Sequence, residues 1–184
     1  MQRSCKSCAA GAIHGEAKSC PPRRANHQED TLNDKELNIE ISRFTPADLD
    51  GVLAAEGVCF TRPWTRGDFE TALELDGYAG FVAREGEALA GYAFLLLVGG
   101  EAELANLATL PEHRGKGVAK ALLTHALDRC RESGAERCFL EVRESNAAAR
   151  GLYASFGFEE VAVRKKYYDY PTEDAVIMKK ELAE

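Results

Sequence analysis

The chain is 184 residues long, 45% hydrophobic and 29% charged, with a formal net charge of −7. That length lets one domain bury a core without metals or disulfides, and the acidic balance argues against a broad nucleic-acid surface while leaving room for a local basic patch. The best apolar run, YAFLLLV (92–98), has strand length and falls far short of the roughly 20 residues of a membrane-spanning helix.

Residues 1–36 carry few large apolar side chains and no helical or strand period, so a disordered N-terminal tail is expected there, with the folded domain over 37–184. The first twenty residues lack the apolar core of a secretory signal, which makes cytoplasm the expected location. Cys59, Cys130 and Cys138 sit in apolar segments and read as small core residues of a reduced protein. Cys5, Cys8, His14 and Cys20 are of zinc-ligating type, but one short knuckle with no second CxxC and no flanking core reads better as tail, and no metal is expected.

The folded part opens with NIEISRF (38–44), which alternates as a half-buried strand does. Thr45 stands where a helix cap would be, Pro46 suits a first helical position, and Asp48 adds favourable charge there. TRPWTRGDFETALEL (61–75) reads as a loop and a second short helix. Two strands come next around a turn at Glu85-Gly86-Glu87, and EAELANLATL (101–110) is a further strand ending at Pro111. Ala119, Leu122, Leu123, Ala126, Leu127 and Cys130 then form one apolar helical stripe, closed by Ser133-Gly134. RCFLEV (137–142) is a strand, NAAARGLYASF (146–156) a helix, and 158–168 and 174–182 are the last strands. A strand–helix–strand unit over 101–142 implies a parallel pair, whereas the hairpins imply antiparallel neighbours, so the class is α/β (α+β mixed): a mixed sheet with helices on it.

Arg114-Gly115-Lys116-Gly117-Val118-Ala119 leads from strand to helix with no acidic cap. The first N–H groups of a helix lack internal partners and carry positive partial charge, so such a start suits a phosphate. A Walker loop and the dinucleotide GxGxxG are both excluded by the spacing. A solvated basic loop accounts for this stretch equally well on its own.

LATLPEHRGKGVAKALL (107–123) followed by LEVRESNAAARGLYASFGFEE (140–160) resembles the GNAT family of N-acetyltransferases, whose coenzyme-A pyrophosphate motif has the pattern Gln/Arg-x-x-Gly-x-Gly/Ala. Within that family the likeness is strongest to the branch of ribosomal-protein-alanine N-acetyltransferases, and it covers about 38–182. The resemblance implies the GNAT fold: a central, mixed, mostly antiparallel sheet of about seven strands with one parallel pair, flanked by about four helices. It implies acetyl-CoA as co-substrate, with the backbone of Leu107, Ala108 and Thr109 receiving the pantetheine arm as an added strand would. Arg114, Gly115, Lys116, Gly117, Val118, Ala119 and Lys120 would surround the pyrophosphate. The family usually has Val and then an acidic residue where this chain has Thr109-Leu110; a backbone-mediated contact tolerates that change.

Acetyl transfer to an amine needs a base to take the amine's proton and an acid to supply the departing thiolate. Glu141 lies mid-strand, where a carboxylate is costly unless paired or functional, and an ion pair with Arg143 or a neighbour is the alternative to a catalytic role. Tyr153 shares helical spacing with Ala149, Leu152 and Phe156 and reads from that pattern as a core tyrosine. The resemblance matches Glu141 to the general base, Tyr153 to the general acid and Asn146 to a cofactor contact, the last compatible with Asn146 as a helix N-cap. It also matches Trp64 to an acceptor-entrance loop, and Tyr167 and Tyr168 to residues that hold an extended peptide, with ordinary packing as the alternative for all three.

The function so implied is transfer of acetyl to the α-amino group of an N-terminal alanine, in a small-subunit ribosomal protein. An α-amine has a pKa of about 7.7–8.0 against about 10.4 for lysine, so deprotonating lysine costs roughly 3–4 kcal/mol more. Lysine side chains, a small amine, or a regulatory acyl-CoA-binding module without turnover are the alternatives; Glu141 and Tyr153 speak against the last. The protein N-terminus is the expected partner of a monomer, with no nucleic acid and no membrane.

Overall fold

The computed structural model describes residues 38–182, so the expected tail and the group Cys5, Cys8, His14 and Cys20 lie outside them. Alternation sets the first strand, β1 (Ile39–Arg43), and a 3₁₀ turn at Pro46–Asp48 leads into α1 (Leu49–Cys59). The cap expected at Thr45 is made by Asp48, whose carboxylate accepts from the Thr45 backbone N–H at 2.7 Å. α2 (Arg66–Glu74) starts with a second such pair, Thr65 and Asp68, in which the Asp68 carboxylate accepts from the Thr65 N–H at 2.6 Å. β2 (Tyr78–Glu85) and β3 (Ala88–Val98) form the expected hairpin, and β4 (Glu101–Thr109) comes after it. Then come α3 (Val118–Glu132), β5 (Arg137–Arg143), α4 (Ala147–Ser155), β6 (Glu159–Tyr168) and β7 (Glu173–Glu181).

The seven strands lie in the order β1-β2-β3-β4-β5-β7-β6. Among the described residues β4 and β5 are the parallel neighbours, joined by the α3 crossover, and the other pairs are antiparallel. This is the mixed sheet that the resemblance implies. α1 and α2 cover one face through Leu49, Val52, Ala55 and Phe69, packed on Val82, Tyr92 and Phe94. α3 and α4 cover the other, where Leu122, Leu123, Leu127 and Tyr153 meet Leu95, Leu104, Leu140 and Met178. The α3 stripe begins at buried Val118, with half-buried Ala119 at its margin, because the helix starts one residue earlier than the stripe's assumed origin. Each fully buried leucine there contributes about 1.5–3 kcal/mol. The helix can approach so closely because Gly91 has no side chain: a Cβ there would stand 2.5 Å from the Ala108 carbonyl oxygen and 3.1 Å from the Val118 and Leu122 side chains.

Two irregularities in the sheet open the cleft. Between the pairs Leu95↔Leu104 and Phe94↔Asn106, β4 holds one residue, Ala105, with no partner on β3. Such a bulge bends and twists its strand. The β4–β5 ladder ends there too, its last pair being Leu104↔Leu140, so the strands part beyond it. In β6, the register passes from Arg164↔Ala175 to Tyr168↔Glu173, with Lys166 in the left-handed region at φ 53. The extra residues re-aim the end of β6.

Candidate active site

The helix start that carries the basic loop has no side-chain cap. Gly117 at the N-cap is left-handed at φ 82, Gly115 at φ 74, and the first turn of α3 contains no acidic residue. A Cβ at either glycine would meet nothing within 4 Å, so only backbone conformation requires glycine there, and the space above both is open to a ligand. Arg129 and Arg131 stand in the last turn, the sign that suits a helix C-terminus. Arg114 donates from Nε to the Thr109 carbonyl at 3.3 Å, and Lys116 and His113 both face Glu85, at 3.4 and 3.1 Å. Lys120 is exposed on the first turn, where with Gly117 it borders a hollow of about 450 Å³ between α3 and β1.

Immediately before this loop runs the free stretch of β4. Leu107 packs on the α3 layer and Ala108 on the α1 layer, while the Thr109 hydroxyl is buried without a hydrogen-bond partner. The Thr109 carbonyl also receives the Cys59 thiol at 3.7 Å, which makes Cys59 a half-buried wall residue of this stretch, in contrast to the fully buried Cys130 and Cys138. Asn146 caps α4: its Oδ1 accepts from the Ala149 N–H at 3.1 Å.

Glu141 is the first β5 residue past the last β4 pair, and it lines a cavity of about 500 Å³ on the open sheet face beside Glu103, Phe139, Arg164 and Tyr167. Its carboxylate makes the expected alternative's ion pair, with the neighbour Arg164 on β6 and not with Arg143, which pairs with Glu173. The Tyr167 hydroxyl also leans on this carboxylate, which raises the phenol's pKa. Tyr153 lies across β5 from it, 7% exposed in the α3–α4 layer, its ring 5.9 Å from that of Phe158. Burial, then the neighbouring Tyr168, push the Tyr153 phenol far up. Tyr168 itself is pushed up to about 12 by burial and by the Glu141 charge.

Arg143 is the hub that joins β5 to two loops. Its guanidinium reaches Glu173 at 3.1 Å, the Thr61 hydroxyl at 3.3 Å and the Asp169 carbonyl at 3.3 Å, and lies 4.3 Å from the Tyr168 ring centre. Arg62 meets Asp169 at 2.8 Å. The loop before α2 is thereby tied to the β6–β7 connection. Trp64 turns its ring inward, 5.2 Å from Phe69 and 5.6 Å from Phe94, so its side chain is a core plug at the base of that loop.

Sequence reasoning passed over a buried polar cluster. Glu56 on α1 is 1% exposed, Asn106 8% and Tyr92 0%. Asn106 Nδ2 donates to the Glu56 carboxylate, and the Trp64 backbone N–H donates to its Oε2 at 3.2 Å. Burial raises the Glu56 pKa, while the nearby Tyr92 phenol and the Asn106 amide pull it back. A carboxylate inside the apolar run LAAEGV was the available signal, of the same kind that marked Glu141.

The family model described as Acetyltransferase (GNAT) family matches residues 49–158. A Bacillus subtilis protein, provisionally assigned as a ribosomal protein bS18-alanine N-acetyltransferase, is 40% identical over 132 residues, 71% of this chain and 87% of its own. The ribosomal protein bS18-alanine N-acetyltransferase of Escherichia coli strain K12 is 36% identical over 142 residues, covering 75% and 94% of the two chains. The crystal structure of the Escherichia coli ribosomal-protein-S18-alanine N-acetyltransferase superposes with a TM-score of 0.75 at 33% identity, covering 79% of this chain and 95% of that one.

Proposed function

Because the chain belongs to the GNAT family of acetyltransferases and is thus an acetyl-CoA-dependent acyltransferase, we propose that its acceptor is the α-amino group of an N-terminal alanine, in ribosomal protein bS18. The names of its relatives and their coverage support the acceptor; the protein is read as a monomer of the cytoplasm. The observation that carries the chemistry is the position of Glu141, at the point where β4 and β5 part and on the wall of the open cavity.

The residues present fit the co-substrate. The uncapped α3 start at Gly115–Lys120 suits its phosphates. The stretch of β4 at Leu107–Thr109, paired with β3 but free on its β5 side and carrying an unpartnered Thr109 hydroxyl, suits its amide-bearing arm. Asn146 keeps its amide nitrogen for a further contact while Oδ1 caps α4. Acetyl-CoA supplies an activated acetyl group as a thioester.

Glu141 takes the proton of the incoming amine, directly or through one water, as nitrogen bonds to the acetyl carbon. Tyr153 supplies a proton from Oη to the departing sulfur on the opposite side of β5. Its raised pKa keeps that proton in place at neutral pH. Tyr167 and Arg164 orient the Glu141 carboxylate, and Tyr168, held by Arg143, walls the acceptor side. The test is transfer from acetyl-CoA to a peptide beginning with Ala and to the same peptide N-blocked with an internal Lys, using wild type and Glu141→Gln. Product on the free α-amine alone, lowered about 10²–10⁴-fold by the substitution, is the expected result. Product on the blocked peptide alone moves the acceptor to lysine.

A further inference from the structure

We propose that Glu56 is a positioning residue for acceptor binding: its carboxylate holds the loop 60–65 to the bulged segment of β4 through the Trp64 backbone. The proposal rests on the reading that this loop borders the acceptor.

Phe60, Thr61, Arg62 and Pro63 are exposed, and the loop is held from two sides. The outer tether consists of Arg62 on Asp169 and Thr61 on Arg143. The inner tether is Glu56. Its backbone carbonyl accepts from the Phe60 N–H at 3.0 Å, and its Oε2 from the Trp64 N–H at 3.2 Å, so one residue grips the loop at both ends. The other carboxylate oxygen accepts from Asn106. Asn106 is the first residue after the unpartnered Ala105, where β4 leaves β5 and the cofactor stretch begins.

The chemistry of this cluster is unusual for a core. A buried carboxylate costs several kcal/mol unless it is paired or fully hydrogen-bonded. The hydrogen-bond partners here are neutral donors, an amide and a backbone N–H, with the buried Tyr92 hydroxyl beside them unpartnered. An apolar side chain at this position would pack on the same aromatic neighbours at lower cost, yet could not reach the loop's backbone. What the carboxylate does, and a leucine would not, is join three elements: the acceptor loop, α1 and the bulged strand. Acceptor geometry is thus set from beneath, at the same point of the sheet that opens the slot for the thioester.

The test uses the full chain and the Trp64 fluorescence that its single tryptophan makes specific. Glu56→Gln keeps the side chain's shape and loses one acceptor oxygen; Glu56→Asp keeps the charge and draws it back by one methylene. In both variants the KM for the Ala-peptide rises about tenfold, as expected when a hydrogen bond to a charged group is lost, while the acetyl-CoA Kd stays within about twofold. Trp64 emission moves to the red and acrylamide quenching increases. An unchanged peptide KM, or a peptide KM and acetyl-CoA Kd that worsen together, overturns the proposal. If wild type fails to acetylate the Ala-peptide, the acceptor reading falls, and Glu56 is judged on fluorescence with acetyl-CoA binding intact. Unchanged Trp64 quenching in both variants then overturns it.

Discussion

At the scale of single residues, the site works by giving neighbouring groups different environments. Glu141 stands at a cavity wall among Arg164 and Tyr167, whereas Tyr153 is buried one layer away behind β5. A phenol is neutral below its pKa, and both Tyr153 and Tyr168 are raised, Tyr168 to about 12, so Tyr153, the proposed donor, keeps its proton across the working range. Raising pH therefore frees the acceptor amine through about 7.7–8.0 without deprotonating the tyrosine. We expect kcat/KM for the Ala-peptide to rise through that window and then stay level to about pH 10. Tyr153→Phe should lower kcat about 10²-fold with the same ascending limb; a falling limb centred near pH 9 in the wild type would contradict the assignment. Glu141 and Tyr153 stood out as candidates because their place in the motif order matches the base and acid that the resemblance implies. Arg164 did not, since it lies 23 residues from Glu141 and only the β5-β7-β6 order brings them together.

Elements obey local rules more closely, and their predictions are local. The start of α3 is left-handed at Gly115 and Gly117, with no protein atom near either virtual Cβ. Gly117→Ala therefore costs folding stability only through backbone conformation, about 1–2 kcal/mol, and obstructs the approach of a phosphate. Calorimetric titration should show acetyl-CoA affinity falling at least about tenfold, a loss beyond the one that thermal melting registers. At the start of α2, hydrogen bonds from Thr65 hold the Asp68 carboxyl below its ordinary pKa. A depressed carboxylate stabilises the fold above its unfolded pKa, about 3.9, and that contribution disappears as pH falls through the lower folded value. Asp68→Ala should cost about 1 kcal/mol at pH 7, or roughly 2–4 °C in Tm, and the difference should close as pH falls through the lowered folded value. Helix caps, the α3 stripe and the hairpin turn were readable because each depends on residues within a few positions of one another. The bulge at Ala105 was not: nothing in ELANLAT distinguishes a bulged strand from a straight one until β3 sets the register.

At the scale of the molecule, the proposed acceptor side is assembled from segments far apart in sequence. Arg143 joins β5 to Thr61, Asp169 and Glu173, and stacks on Tyr168. Arg143→Ala should raise the peptide KM several-fold and lower stability by about 1–3 kcal/mol, because Glu173 would lose its cation and two loops their common anchor. Steady-state kinetics with melting curves would check both; a loss confined to acetyl-CoA binding would place Arg143 elsewhere in the mechanism. The sequence by itself determined the elements, the parallel crossover, the uncapped basic helix start and the choice of acid and base candidates, since periodicity, caps and motif order are written in adjacent residues. Tertiary structure alone decided that Glu141 pairs with Arg164, that Trp64 turns inward, and that Glu56 and Asn106 meet beneath the acceptor loop. Glu141 with Arg164, Trp64 with Phe94 and Glu56 with Asn106 join residues far apart in sequence through a packing and sheet order that no local pattern encodes, and their energies exist only once the strands have paired.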